Sequence, residues 1–340
     1  MTPPDAGIGR TLVDSFTPVS REAREALSAA PRTADAHRRA LADVAALGEV
    51  RVGPVMHRGP LAFPFTALAW NLERGLYPQA SAELMISQGP AVVLACEVDH
   101  GMARTAQRDT ARLLSRDLGL QRADAVEFLE LGLGNAQDRR VAMEAENALG
   151  FHGNLLLAAT PVETAALVRL DVDGRWFVED AGQPRIGGRM AVAARLMTVD
   201  GPFWAVATHL ESRATAAERE VQAGRLLDAL DALAGETPVL IGGDMNTGNE
   251  KGGDWRREGL LRLVRERGYA AHDAGAEVTT RESHLSPGPA RGMKLDWFFS
   301  RGLEVAASWI VPALAPDGTP LSDHEMIACR IQGFSAGRPS

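Results

Sequence analysis

FWAVATHLESRATAAEREVQAGRLLDALDALAGETPVLIGGDMN, residues 203–246, holds the pattern from which the rest of the chain can be read. FWAVAT (203–208) is a short apolar run that closes on His209. Thr215 and Glu218 then stand in capping-box register, and Val221, Leu227, Leu230 and Leu233 follow at helical spacing up to Gly235. PVLIG (238–242) is a second apolar run, and it closes on Asp244 and Asn246. Strand, helix, strand is the reading, with chemically capable side chains where each strand stops.

The same grammar extends in both directions. Short apolar runs at 66–70, 91–96, 123–129, 154–158, 190–197, 295–299 and 326–331 read as buried strands. Helices are expected at 34–47, 79–88, 103–118 and about 254–267. Along 103–118, Arg104, Arg108, Arg112 and Arg116 repeat every fourth residue and read as a solvated face. Residues 1–33 read as a loosely ordered arm, so 1–60 is taken as an N-terminal extension with one short helix. A main domain then spans 61–334, with a frayed tail at 335–340. The polar stretch 247–291, ending in SPGPARG, is long enough to face a substrate.

Composition narrows the class. Of 340 residues, 45% are hydrophobic and 24% charged, which suits a folded soluble protein. Lys and Arg number 36 against 44 Asp and Glu, a net charge of −8. That balance does not favour a basic nucleic-acid-binding body, although a bound cation can reverse the sign locally. Cys96 and Cys329 lie in apolar runs and make no disulfide framework or zinc spacing. With no secretory signal and no transmembrane segment, a cytoplasmic location is expected.

The polar residues beside the predicted strands form a set. Asn71, Glu97, His209, Asp244, Asn246, Asp296, Asp323 and His324 each sit next to an apolar run. Singly, each reads as a turn, a cap or a sheet-edge residue. Together, Glu97, Asp244, Asp296 and Asp323 would repel one another unless they hold a hard cation, and oxygen donors suit magnesium, calcium or manganese. His209 and His324 lack a second nitrogen or sulfur ligand at metal spacing and suit proton transfer or charge stabilisation. Oxygen-ligated metal with two histidines points to metal-assisted hydrolysis of phosphate esters.

With these residues in hand, the chain resembles the endonuclease/exonuclease/phosphatase superfamily, the DNase I-like hydrolases. The matching stretches are AWNLERG (69–75), VLACEVD (93–99), FHGNLLLA (151–158), ATHLES (207–212), IGGDMN (241–246), KLDWFFSRGL (294–303) and LSDHEM (321–326). The resemblance implies an α+β fold, a four-layer α/β/β/α sandwich of two mixed β-sheets. It implies Mg²⁺, with Mn²⁺ as the alternative, and a phosphate-ester substrate. Asn71, Glu97 and Asp323 would then be metal-site residues, with Glu73 an extra acidic candidate. His324 would be the acid/base or transition-state stabiliser oriented by Asp296. Asp244 and Asn246 would orient the attacking water and the phosphate. His209 would bind phosphate or assist the leaving group, with Glu127 or Glu130 as its carboxylate partner. Arg189 would contact the phosphate.

The chain departs from two branches of that superfamily. Its two tyrosines, Tyr77 and Tyr269, lie away from the middle of the domain, where the DNA-repair enzymes carry a phosphate-contacting tyrosine. The secreted nucleases use disulfides that this sequence does not offer. A phosphodiesterase or phosphomonoesterase is therefore expected, with a DNA or RNA nuclease as the second reading. A third reading, an inactive binding module, is disfavoured because the metal and acid/base candidates are all present. A calcineurin-like metallophosphatase is disfavoured because no G-N-H-[D/E] segment occurs.

Overall fold

Strands with apolar residues on both faces need cover on both sides, and two sheets packed face to face between helices supply it. The computed structural model describes residues 7–54, 58–180, 182–275, 278–288 and 291–335. In chain order the first strands are β1 (Ile8–Gly9), β2 (Thr11–Val13), β3 (Glu49–Gly53), β4 (Phe65–Asn71), β5 (Pro90–His100), β6 (Gln121–Glu130), β7 (Phe151–Ala158) and β8 (Val162–Arg169). They continue as β9 (Arg185–Gly187), β10 (Met190–Thr198), β11 (Gly201–His209), β12 (Val239–Asp244), β13 (Ala270–His272), β14 (Asp296–Arg301), β15 (Leu303–Val311) and β16 (Met326–Phe334). The α-helices are α1 (Arg21–Ala29), α2 (Ala34–Asp43), α3 (Pro78–Ser87), α4 (Thr110–Leu118), α5 (Ala136–Val141), α6 (Arg175–Val178), α7 (Ala216–Ala234) and α8 (Gly259–Glu266).

One sheet runs β1-β8-β10-β11-β12-β14-β13, and the other runs β15-β16-β4-β5-β7-β6-β3-β2 with β9 added beside β6. Both are mixed: β11 and β12 are parallel in the first, β4 and β5 in the second, while most other neighbours are antiparallel. Successive side chains alternate between layers. In β12, Leu240 enters the core between the sheets, while Val239 and Ile241 pack outward against α7 and α8. In β4, Ala67 and Ala69 face the inter-sheet core, and Leu68 and Trp70 face α3 and α4. The result is the expected α/β/β/α sandwich.

The two glycines of IGGD have separate reasons. A Cβ on Gly242 would sit 2.8 Å from Leu94 and 2.9 Å from Phe298, so the side-chain-free position lets the sheets approach. Gly243 has φ +149° and would put a Cβ 1.9 Å from the Thr208 carbonyl oxygen. Gly243→Ala is therefore expected to cost about 3 kcal/mol or more, because backbone must move to relieve the contact. A fall in the urea midpoint at unchanged m-value checks it.

Two sequence expectations are corrected here. Residues 7–33 are not loosely ordered but form β1, β2 and α1, and the helix expected at 34–47 is α2. β1 pairs with β8 in one sheet and β2 with β3 in the other, so the segment joins both sheets. Phe16, Ala40, Val44 and Leu47 pack on Leu129, Phe151, Phe177 and Ile186, and Thr17 binds the Glu49 carboxylate through its backbone N at 2.8 Å. No boundary at residue 61 follows from this packing. Residues 1–6 and 336–340, which belong to the expected arm and tail, lie outside the described residues.

The second correction concerns 103–118, which is not one helix. Ala106 and Gln107 have φ +54° and +58°, which breaks it, and Asp109 caps α4 afresh. Arg104 thereby leaves the solvated stripe. It is buried and donates to Asp99 at 2.7 Å and to Glu130 at 3.0 Å.

Candidate active site

Strand register assembles half of the site. His209 ends β11, Asp244 ends β12 and Asp296 begins β14, and the three are direct neighbours: His209 opposite Asp244, Asp244 opposite Asp296. Parallel pairing on one side and antiparallel pairing on the other bring three distant sequence positions into one row.

The second sheet supplies the facing half. Asn71 ends β4. Glu97 lies in β5 where the register with β7 shifts between Ala95 and Val98, and its φ is +59°. Such a bulge re-aims a side chain that regular pleating would direct elsewhere. Asp323 and His324 precede β16. They are tied to β4 by Trp70 Nε1 donating to the His324 carbonyl at 2.8 Å and by Ser322 Oγ donating to the Asn71 carbonyl at 2.6 Å.

These side chains line one cavity of about 400 Å³, together with Ser212, Asn249, Thr280, Arg281, Ser286 and Arg291. The structure thus brings together Asn71, Glu97, His209, Asp244, Asn246, Asp323 and His324, with Asp296 directly behind His324. The residues that sequence reasoning did not single out come from the polar stretch 247–291 and from the loop after β11. That stretch was expected to face a substrate, but its spacing shows no strand or motif that names individual positions.

Inside the cavity each group has a fixed partner. Asp296 Oδ2 is 2.9 Å from His324 Nδ1. Burial alone would lower the His324 pKa, but Asp296 and Asp244 outweigh it and hold the ring well above its ordinary value. Its Nε2 then points toward Asp244 Oδ2, 3.6 Å away. Asp244 accepts from the Asn246 backbone at 2.8 Å and from Asn71 Nδ2 at 3.1 Å. Burial pushes its carboxyl up to about 7, against the pull of His324. Asn246, at φ +50°, anchors its amide on the Leu210 carbonyl at 2.9 Å.

Across the cavity is a crowd of carboxylates. Glu97 accepts from Asn71 Nδ2 at 3.2 Å and pairs with Arg74, which is braced by Asp138 at 3.2 Å. Burial would raise the Glu97 pKa, yet the Arg74 guanidinium outweighs it and holds the carboxyl well below the usual carboxylate range. Glu73 is pushed up to about 8 by burial and by Asp323 beside it. Ser286 Oγ lies 3.1 Å from Glu73 Oε1 and 2.9 Å from Asp323 Oδ2, so one hydroxyl proton serves two acids. Glu73, Glu97 and Asp323 with Asn71 offer oxygen donors on this side of the cavity, and Asp323 and Glu97 raise the proton affinity of Glu73. Oxygen donors of this kind suit a hard divalent cation. Among the described residues, the carboxylate–histidine grouping whose donor atoms all lie within 4.8 Å of one another is Asp244, Asp296 and His324. There the His324–Asp296 hydrogen bond already satisfies the ring nitrogen.

His209 and Arg189 differ from expectation. Neither Glu127 nor Glu130 hydrogen-bonds His209. Arg189 stands between, with Nη1 2.9 Å from His209 Nδ1 and 3.2 Å from Glu127 Oε1, while Glu130 pairs with Arg104 and Arg185. Arg189 is buried behind His209 and does not line the cavity, so the expected phosphate contact is corrected. A sequence shows an arginine beside a Gly turn but not that two buried acids, Glu127 and Glu211, claim it.

A sandwich of two mixed sheets with carboxylates and histidines converging at the strand ends defines a phosphate-ester hydrolase scaffold. The sequence model of the Endonuclease/Exonuclease/phosphatase family matches residues 21–324, reaching into the first sixty residues that the sequence motifs leave uncovered. The chain belongs to that family, whose members are hydrolases acting on phosphate ester bonds. No curated protein matches this sequence.

Solved structures share the fold at low identity. An endonuclease/exonuclease/phosphatase from Beutenbergia cavernae DSM 12333 is 17% identical with a TM-score of 0.59, over 80% of this chain and 72% of that one. The human Nocturnin catalytic domain, solved with a bound sulfate anion, is 19% identical with a TM-score of 0.56, over 84% of this chain and 97% of that one. A functionally unknown conserved protein from Enterococcus faecalis V583 is 16% identical with a TM-score of 0.56, over 79% and 99%. Among the described residues no helix is long and apolar enough to cross a membrane.

Proposed function

We propose that this protein is a Mg²⁺-dependent phosphoesterase acting on a small, polar phosphodiester or phosphomonoester. The observation that carries the reading is the meeting of two half-sites in one cavity. The row His209–Asp244–Asp296 faces the acids Glu97 and Asp323, with Glu73 joined to Asp323 through Ser286. Glu97, Asp323 and Glu73, with Asn71, would hold the cation. When bound, it supplies positive charge against the phosphoryl oxygens and the leaving oxygen.

The other steps belong to the protein. Asp244, with a proton affinity near neutrality, takes the proton of the attacking water, and the Asn246 turn fixes the carboxylate. His324, kept cationic by Asp296, stabilises the charge that develops on the phosphoryl group. Arg281 and Arg291 in the cavity wall favour an anionic substrate.

The net charge of −8 and the polar cavity favour a small ester over a nucleic-acid duplex, which needs an extended basic groove. The cavity equally disfavours a lipid tail. The free, buried Cys96 and Cys329 suit a reducing, cytoplasmic setting.

Calorimetric titration with Mg²⁺ tests the cation site without any substrate. Wild-type protein is expected to show saturable binding that weakens at least about tenfold in Glu97→Gln, because a carboxylate ligand is lost. Equal affinity in the variant would refute the ligand assignment. EDTA is expected to abolish turnover of bis-p-nitrophenyl phosphate, and Mg²⁺ in excess to restore it.

A further inference from the structure

We propose that Arg189 is a positioning residue that locks His209 as the neutral tautomer carrying its hydrogen on Nε2. His209 then meets the substrate as a hydrogen-bond donor and does not carry protons. The two cavity histidines thus have opposite assignments, His324 cationic and His209 neutral.

The argument starts from a property of guanidinium: it donates hydrogen bonds and accepts none. Arg189 Nη1 lies 2.9 Å from His209 Nδ1, so Nδ1 must be the acceptor. The ring hydrogen is therefore on Nε2, which faces the cavity 3.4 Å from Asp244 Oδ2. Protonating Nδ1 would remove the acceptor and set two cations at contact distance. Burial and Arg189 both hold the His209 pKa well below its ordinary value, against the pull of Glu97 and Glu211.

The arginine itself is over-determined. Its Nε donates to Glu211 Oε2 at 3.0 Å and its Nη1 to Glu127 Oε1 at 3.2 Å. The Phe128 ring lies under the guanidinium, 5.5 Å from centroid to Cζ. Glu211 is fixed in turn by Trp176 Nε1 at 2.9 Å and by the Arg213 backbone N at 2.9 Å. Side chains from β6, from the turn before β10, from the loop after β11 and from α6 converge on this one contact. A plain surface arginine has no such frame. A carboxylate in the same place would stabilise the imidazolium, so the arginine inverts the chemistry of the ring.

The role in hydrolysis rests on the phosphoesterase reading, whereas the tautomer does not. Long-range ¹H–¹⁵N correlation spectra of the full chain, labelled in histidine nitrogen, read the tautomer directly. The His209 signals are those lost in His209→Gln. At neutral pH the wild-type ring is expected to show a protonated Nε2 and an unprotonated Nδ1, and to keep that pattern down to about pH 5.5, below the ordinary imidazole value. A protonated Nδ1 at neutral pH, in either the other tautomer or the cation, would overturn the proposal.

In Arg189→Met with Glu127→Gln, made together so that only Glu211, still held by Trp176 Nε1 and the Arg213 backbone N, loses its ion pair, His209 is expected to titrate between about pH 5 and 8. Arg189→Lys, which keeps a donor, is expected to retain the wild-type pattern. A folded double variant with an unchanged His209 spectrum would contradict the lock. If that variant does not fold, the wild-type spectrum alone decides.

Discussion

His324→Ala is expected to lower kcat by about 10³-fold or more while the protein stays folded. The ring is buried, hydrogen-bonded to Asp296 at 2.9 Å and held cationic by Asp296 and Asp244. Its removal takes the one imidazolium out of a cavity otherwise dominated by carboxylates. The backbone anchors of this loop do not depend on the ring: Trp70 binds the His324 carbonyl, and Ser322 binds the Asn71 carbonyl and the His324 N. An unchanged circular dichroism spectrum with turnover near the wild-type rate would refute the assignment of His324.

Asp244→Asn is expected to have an effect of similar size, by a different route. The substitution keeps the shape of the side chain and its acceptor for the Asn246 backbone N. It removes the base. It also sets an amide NH₂ against Asn71 Nδ2, which now donates to Asp244 at 3.1 Å. Two donors in contact lose a hydrogen bond, so a stability cost of about 1–2 kcal/mol accompanies the loss of activity. Stopped-flow or steady-state rates, with thermal melts alongside, separate the two effects. Because Asp244 and His324 act on one transition state, the double variant is expected to be little worse than either single one.

How much of this was legible in the sequence depended on what each residue does locally. β4, β5, β11 and β12 are buried on both faces, so they read as apolar runs, and their ends could be named. α7 was legible because Thr215 and Glu218 form the capping box that the sequence spells. β15 was not, because Glu304, Ala306 and Ala307 lie at an edge with much of the strand open to solvent, and no buried run marks it. β8 begins with exposed Glu163 and Thr164 and escapes for the same reason.

At the site, Asn71, His209, Asp244 and His324 were found because each follows or precedes a strand. Arg189 was visible, but its role was misread. What decides that role is the burial of Glu127 and Glu211 against it, a tertiary fact with no local periodicity. Arg104 failed likewise: four arginines at helical spacing suggested a surface, and the left-handed Ala106 broke the phase. The N-terminal segment reads as an arm because β1 and β2 are two and three residues long, too short to carry a pattern.

The central claim is that one cavity performs cation-assisted hydrolysis of a phosphate ester. The most direct test is turnover on a panel of bis-p-nitrophenyl phosphate, plasmid DNA, single-stranded RNA, sphingomyelin and a phosphoinositide, extended with small phosphomonoesters. Each is run with Mg²⁺ and with EDTA, for wild type and for Asp244→Asn. The account predicts Mg²⁺-dependent turnover of a small ester, lost in EDTA and in the variant. Turnover that survives EDTA, or that Asp244→Asn retains at the wild-type rate, would contradict it.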